Sequence, residues 1–395
     1  LVGVAGATFD IVIDAYRIET LKPYQLGTGS GMSQYGWRIG AAGAGALAAI
    51  ARGGPLNPPA GGVAPTGKTL TSVEPRTEIN AANTPGFPGS MFTITQPGSY
   101  YLAADITAAA NQTVIGVYGQ GVTIDLNGFA IRNVAGGVAQ AVALNGGVKG
   151  VTICNGSFVS CSPTVINGFI GTNCTLRDVA LVDCPGAVYL GDRALVERCL
   201  VNGPLNDGLL LGADSIVRDC VVIGNAPGFT GIGVGAGSLV QGCVVSGFGR
   251  GVNIGAGAVR SCTLRSNVVG VYSSGPTAIE GNACDQNGTG VFVESSTGRA
   301  RIADNHVTRS TGTGASAAGI VVNQTGCVVE GNTLMGNHTN LRVTSQFSLI
   351  VRNRMAFPGG GGNSVIAAGN SVGTIVNAAS GGSPATTDAN ANIIF

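Results

Sequence analysis

The chain predicts an all-β fold, a parallel β-solenoid of roughly ten rungs. Three observations carry this reading. A short phrase recurs between Leu176 and Met355: apolar, two variable residues, Cys or Asn, any residue, apolar. Its Cys copies centre on Cys199, Cys220, Cys243 and Cys262, and its Asn copies on Asn282, Asn305, Asn332 and Asn353. Successive slots lie 21, 23, 19, 20, 23, 27 and 21 residues apart. A second phrase, Gly-apolar-x-apolar, interleaves with the slots from Gly208, Gly231, Gly251, Gly270, Gly290 and Gly319. Short alternating strands without a helical period complete the pattern. Each repeat is then one rung, stacked on the next at roughly 4.8 Å. Stacked Asn side chains hydrogen-bond along the axis, and Cys fills the same slot as a small buried hydrophobe.

Taken in order, residues 1–31 lack the repeat and form an upstream segment of uncertain role. Residues 32–51 run from Met32 through Trp37-Arg38 and an Ala/Gly-rich apolar stretch to Ala49-Ile50-Ala51, which reads as a secretory signal peptide. That stretch is too short to span a bilayer. Residues 52–90 are Pro- and Gly-rich, a linker or coat segment. The solenoid is expected over 91–357, with 91–120 as its cap, because an open first rung exposes core and unpaired strand edges. Gln96-Pro97-Gly98 between two alternating stretches is a strand-turn-strand signal inside that cap. Pro358 and the run from Gly359 to Gly362 end the regular rungs. The Gly/Ser/Thr-rich tail over 358–395 is expected to fold back as a C-terminal cover, with Ile393-Ile394-Phe395 tucked against the last rung.

Composition narrows the partners. A formal net charge of +1 with 10% charged residues argues against a nucleic-acid binder, which normally carries a basic face. With 44% hydrophobic residues and 66 Gly, the chain suits tight turns and close-stacked strands rather than disorder. Of ten Cys, the four in the repeat slot are expected to be buried thiols. Cys154, Cys161, Cys174 and Cys184 lie off that slot and are the better disulfide candidates, with their pairing left open.

The slot pattern resembles the right-handed parallel β-helices of the pectin-lyase-like superfamily. Within that group, the stretches from Gly54 to Gly61, Val63 to Thr66, Val73 to Arg76, Ile94 to Leu102, Val122 to Phe129 and Gly369 to Val376 are similar to secreted β-helix proteins of planctomycete-type bacteria. The likeness covers about residues 54–395 and implies export and fold, with no established chemistry to carry over. Lyases on such scaffolds imply carboxylate ligands for Ca²⁺ and an Arg or Lys base. No cofactor is otherwise expected, and Ca²⁺ only for a lyase.

Candidate chemistry gathers in two places. Arg177-Asp178, Glu197-Arg198 and Arg218-Asp219 precede the slot on successive rungs, and stacking sets each charge opposite its counterion. That is the pattern of a self-neutralising surface ladder; its functional reading is a Ca²⁺ site at Asp178 and Asp219 with Arg218 as base. The second group, Asp183, Asp192, Arg193 and Asp214, lies in turns, where Asp commonly forms Asx turns. Its functional reading is a pair of carboxylates at hydrolytic spacing. His306 and His338, on rungs of different phase, make a poor metal site. Tyr189, Phe229, Phe248, Tyr272 and Phe292 are scattered, and Tyr272 and Phe292 belong to the strand phrase. The leading expectation is an exported or cell-surface, non-catalytic solenoid contacting polysaccharide or cell-envelope components, with no membrane span once mature. The alternative is an extracellular polysaccharide lyase or glycoside hydrolase. A third is a solenoid that self-associates through its ends or edges.

Overall fold

In the computed structural model, the described residues are 75–395 apart from 109–111, 133–139, 162, 295–297, 313–316 and 379–385. The expectations for 1–31, 32–51 and the first part of 52–90 fall outside them. The described chain is a parallel β-solenoid of about twelve turns, slightly more than the repeat count suggests, because the earliest and latest turns lack the slot phrase. No helix among the described residues is long and apolar enough to cross a membrane.

Three strands per turn stack into three parallel sheets. Sheet 1 begins with Ser90–Ile94 against Thr113–Val117 and ends with Thr339–Val343 against Gly362–Ile366. Sheet 2 begins with Thr77–Glu78 against Gly98–Tyr101 and ends with Leu349–Val351 against Ser371–Val372. Sheet 3 begins with Ile106–Thr107 against Ala130–Arg132 and ends with Arg354–Ala356 against Asn392–Ile394. Residues 91–120 therefore lie in parallel register with the turn that follows them. In the tail, Ile393 and Ile394 pair with Arg354 and Met355, the seat expected for them.

The inward residues form one continuous apolar column. On sheet 1, Val142, Ile166, Val188, Leu209, Ile232, Val252, Val271 and Val291 are fully buried. Burying each such side chain is worth about 1.5–3 kcal/mol.

The corners follow one rule. Between sheets 2 and 3 the chain turns through a left-handed residue on ten successive rungs: Asn155, Asp178, Arg198, Asp219, Gly242, Ser261, Gly281, Asp304, Gly331 and Arg352. The residue after it points inward, and from Cys199 to Asn353 this is the repeat slot. The left-handed turn takes the slot amide out of the sheet ladders, so it needs another partner. The next rung supplies one. The N–H groups of Cys262, Asn282, Asn305, Asn332 and Asn353 donate to the Oδ1 of the following slot at 2.9, 3.0, 3.0, 3.1 and 3.0 Å. The last acceptor is Asn392 in the tail, which the repeat spacing does not reveal.

The other two corners repeat the device. Between sheets 3 and 1, Cys161 N–H donates to Cys184 Sγ at 3.3 Å and Asn267 N–H to Asn287 Oδ1 at 3.0 Å. Between sheets 1 and 2, Ala194 N–H donates to Ser215 Oγ at 3.1 Å and Ser215 N–H to Ser238 Oγ at 3.0 Å. All ten cysteines are buried and free, and this corrects the expectation for Cys154, Cys161, Cys174 and Cys184. Cys161, Cys174 and Cys184 occupy inward corner slots like those of the repeat, and Cys154 lies in the outward column of sheet 2 between Asp125 and Arg177, where it is buried nonetheless. Burial pushes the Cys284 thiol up to about 12 and raises Cys154, Cys174 and Cys327.

Two outcomes are expected. Asn332→Ala strips the acceptor from buried Asn305 N–H and should lower unfolding free energy by about 2–4 kcal/mol in urea denaturation. The ten thiols should be silent to a chromogenic disulfide reagent in the native protein, and all ten should react in denaturant.

Candidate functional site

The carboxylates singled out from the sequence are divided by the fold among three corners. Asp183 sits at the corner between sheets 3 and 1, whereas Asp192, Arg193 and Asp214 sit at the corner between sheets 1 and 2. The four-residue strand Ala187–Leu190 separates those corners, a span of roughly 13 Å. Asp178, Arg218 and Asp219 lie at the third corner. The grouping of Asp183 with Asp192 and Asp214 thus does not form one site, because residues close in sequence turn different corners of a rung.

Most of these side chains are engaged locally. Asp192 Oδ1 accepts Ala213 N–H at 2.8 Å. Arg193 Nε donates to Asn173 Oδ1 at 3.0 Å. Asp214 Oδ1 lies only 2.1 Å from where a Cβ on Gly237 would sit, and Gly237 has φ +77. Asp178 is held by Arg198 through Nε at 2.7 Å and Nη2 at 2.9 Å. Glu197 pairs with Arg198 at 3.1 Å and also contacts Arg218 closely. Arg177, Glu197 and Arg218 are in direct register, so the alternating ladder expected on sheet 2 is present. Gln241 interrupts it, and a second run of ion pairs follows through Arg260, Glu280, Arg301, Glu330 and Arg352.

The Ca²⁺ expectation at Asp178 and Asp219 does not fit these surroundings. The ion takes six or more oxygens, while Asp178 is neutralised by a guanidinium. Among the described residues no three His, Cys, Asp or Glu side chains converge on a metal position.

A different surface offers itself on sheet 1. The strand Val221–Val234 has 14 residues, against 11 in the next, Val244–Ile254. The excess breaks register on both sides of Ala226, which stays buried and paired with Phe248, and lifts Asn225 and Pro227 to Phe229 into an overhang. Two contacts seat it. Thr230 N–H donates to Asp207 Oδ1 at 2.8 Å. Gly249 lies beneath it, where a Cβ would come 2.5 Å from Pro227 O. Phe248 is buried under the overhang, whereas Phe229 on its rim is 43% exposed.

Beside the overhang lies an open groove of about 450 Å³. Its other wall is a stacked column on the outer face. The Arg250 guanidinium lies 3.6 Å from the Tyr272 ring centroid. Tyr272 stacks on Phe292 at 5.5 Å between centroids and 3° between planes. Burial pushes the Tyr272 phenol above its ordinary value, and its hydrogen bond with Glu294 adds to this. Parallel register explains the column, since Tyr272 pairs directly with Phe292 and both face out. Among the described residues no carboxylate forms an ion pair with Arg250, unlike the guanidinia of the sheet 2 ladder.

Sequence reasoning missed this site. Strand alternation leaves the middle residue of Val271-Tyr272-Ser273 and of Val291-Phe292-Val293 outside, and the long spacing after Cys220 marked the overhang. A further depression of about 410 Å³ on sheet 3 holds His306, Arg309, Met335 and Phe357. Its arginine is already committed, with Nε 2.8 Å from Asp285 Oδ1.

The depressed carboxylates set an acid limit. Hydrogen bonds from Arg198, Arg218 and Arg309 hold Asp178, Glu197 and Asp285 below their ordinary range. Lowered folded values mean a contribution present above the unfolded value near 4 and lost as pH falls through the folded ones. At low salt, the urea midpoint should stay level from about pH 7 to 5 and fall below about pH 4. Glu197→Gln should shrink that fall.

The sequence matches no protein-family profile and no characterised protein. Solved structures do resemble it. The A-module of mannuronan C-5 epimerase AlgE4 from Azotobacter vinelandii superposes with a TM-score of 0.58 at 15% identity, covering 70% of this chain and 91% of that one. The A-module of the AlgE6 epimerase from the same organism covers 75% and 89%, at 14% identity and a TM-score of 0.47. At these identities the likeness is one of fold: this chain shares the parallel β-helix architecture of the AlgE4 module.

Proposed function

We propose that this protein binds an acidic polysaccharide in the sheet 1 groove and acts outside the cell as a polysaccharide-contacting solenoid. One observation carries the reading. Arg250 is the guanidinium in the groove, it is stacked on Tyr272, and among the described residues no carboxylate pairs with it. A guanidinium fork suits planar anions such as a uronate carboxylate. The apolar walls, Phe229, Tyr272 and Phe292, suit the CH faces and edges of sugar rings. The groove is open to solvent on its outer side, so a polymer can reach it from the surface. The fold's likeness to a polysaccharide-modifying module is compatible with this and adds no residue to it.

A second reading is chemistry on the same polymer. Tyr272 is an ionisable phenol in the groove, hydrogen-bonded to Glu294 and beside Arg250. Binding alone needs no such group, so the two readings separate by experiment.

The test takes the full chain with polygalacturonate, alginate and two neutral polysaccharides, with and without Ca²⁺. Retention on an acidic polymer should occur without new reducing or unsaturated ends. Arg250→Gln should weaken it by about tenfold or more, the value of a charge-assisted hydrogen bond. Raising the salt should weaken it too. New chain ends that vanish in Tyr272→Phe would make the protein an enzyme. Equal retention on neutral polymers, or none on any, would sink the acidic-polysaccharide reading.

A further inference from the structure

A second depression of about 330 Å³ adjoins the groove. It is lined by Asn225, Pro227, Phe248, Ser266, Asn267 and Gln286, with Gly247 and Gly288 also at its edge, and Val268 belongs to both depressions. The two span the same four rungs. One takes residues 228–230, 249–250, 268–269 with 272, and 292; the other takes 225–227, 247–248, 266–268, and 286–288. They therefore lie side by side across the solenoid, one on sheet 1 and the other at the corner with sheet 3. Val268 is 53% exposed on the saddle between them.

The route along the axis is obstructed at both ends of the groove. On one side the overhang from Asn225 to Phe229 stands across it. On the other, the next residue in the outward column after Phe292 is Val321. An outward valine on a bare sheet would be exposed, yet Val321 is 2% exposed. Its column neighbours Phe292 and Arg342 close over it, and the groove ends there.

The second depression has a chemistry of its own. Ser266 and Gln286 hold left-handed conformations, with φ 55 and φ 54, and both are exposed. Asn225 is exposed above them. Among the described residues, the side chains of these three make no hydrogen bond within the protein. Two amides and a hydroxyl supply donors and acceptors without charge, which suits sugar hydroxyls.

We propose that the polysaccharide crosses the solenoid axis, passing over Val268 from the Arg250 subsite on sheet 1 into a neutral, hydroxyl-binding subsite formed by Asn225, Ser266 and Gln286. This rests on the polysaccharide reading and extends it. The site then holds at least two sugar units of unlike role. An anionic unit meets Arg250, and its neighbour is recognised by its hydroxyls.

The experiment measures the affinity of oligouronates of one to six units, taken from the retained polymer, by calorimetry. The double variant Ser266→Gly, Gln286→Gly suits the positive φ at both positions, so folding should be unaffected; circular dichroism checks this. It should weaken the longer oligomers by about tenfold, the worth of one or two neutral hydrogen bonds, and leave the shortest binder unchanged. Arg342→Gln, two rungs beyond Phe292 along the axis, should change nothing. Unchanged affinity in the double variant, with Arg250→Gln still impaired, would overturn the crossing path and spare the polysaccharide reading. A loss in Arg342→Gln instead would establish an axial path. Failure of the wild type to bind any oligomer would remove both proposals together.

Discussion

The structure depends on how a corner amide is satisfied. Each rung must turn sharply three times, and a left-handed residue makes the turn at the cost of one amide displaced from the sheet ladders. An orphaned buried N–H costs about 1–3 kcal/mol, a penalty that would recur at every corner. The small acceptor on the next rung removes it. Asn does so with a full carbonyl oxygen, and its Nδ2 returns a bond to the preceding rung, as Asn305 does to Ile279 O at 2.8 Å. Ser and Cys offer weaker acceptors in less volume. The chain's sparse charge follows from the same need, because the corner interiors have room for small neutral groups and for little else.

The direction of that bond has a consequence. Every donor looks to the rung after it, so the ladder cannot close on its own last member. Asn353 finds Asn392 at 3.0 Å, 39 residues further on. The tail is thus part of the stack's hydrogen bonding as well as a cover for its end. Exact stacking also organises the outer surface, since outward residues fall into columns one rung apart. On sheet 2 this puts Arg against Glu and cancels the charge. On sheet 1 it puts Tyr272 on Phe292, and Arg250, which stacks on Val269, reaches across to the Tyr272 ring.

The fold was legible in the sequence because its periodicity is a direct image of the rung. The slot from Cys199 to Asn353, the inward apolar strands and the ion-pair ladder through Glu197 could all be read from spacing alone. The corner ladders at Asn267 and Ser215 were less visible, because their slots mix Cys, Asn, Ser, Pro and Phe. The candidate site was harder still. Spacing locates a residue along a rung but gives little weight to rungs of unequal length. Three extra residues between Val222 and Ile232 looked like noise in the repeat, yet they raise the overhang that makes a groove. Asp183, Asp192 and Asp214 attracted notice for their charge, and a strand of sheet 1 separates Asp183 from the other two.

The contrast between sheets 1 and 2 bears most directly on function. In a stacked solenoid each outward position has a neighbour above and below, so register decides whether a charge meets its opposite. Sheet 2 uses that proximity to neutralise its arginines, with Arg301 between Glu280 and Glu330. Arg250 instead has Thr230 on one side and Val269 on the other, and neither accepts its charge. Its guanidinium turns onto Tyr272, where a cation–π contact stabilises it by about 0.5–2 kcal/mol. Both residues line a groove whose walls are set by strands rather than by mobile loops. Little ordering entropy is then lost when a ligand enters. A pre-positioned guanidinium that no described carboxylate neutralises is the arrangement expected of a surface that recognises anions.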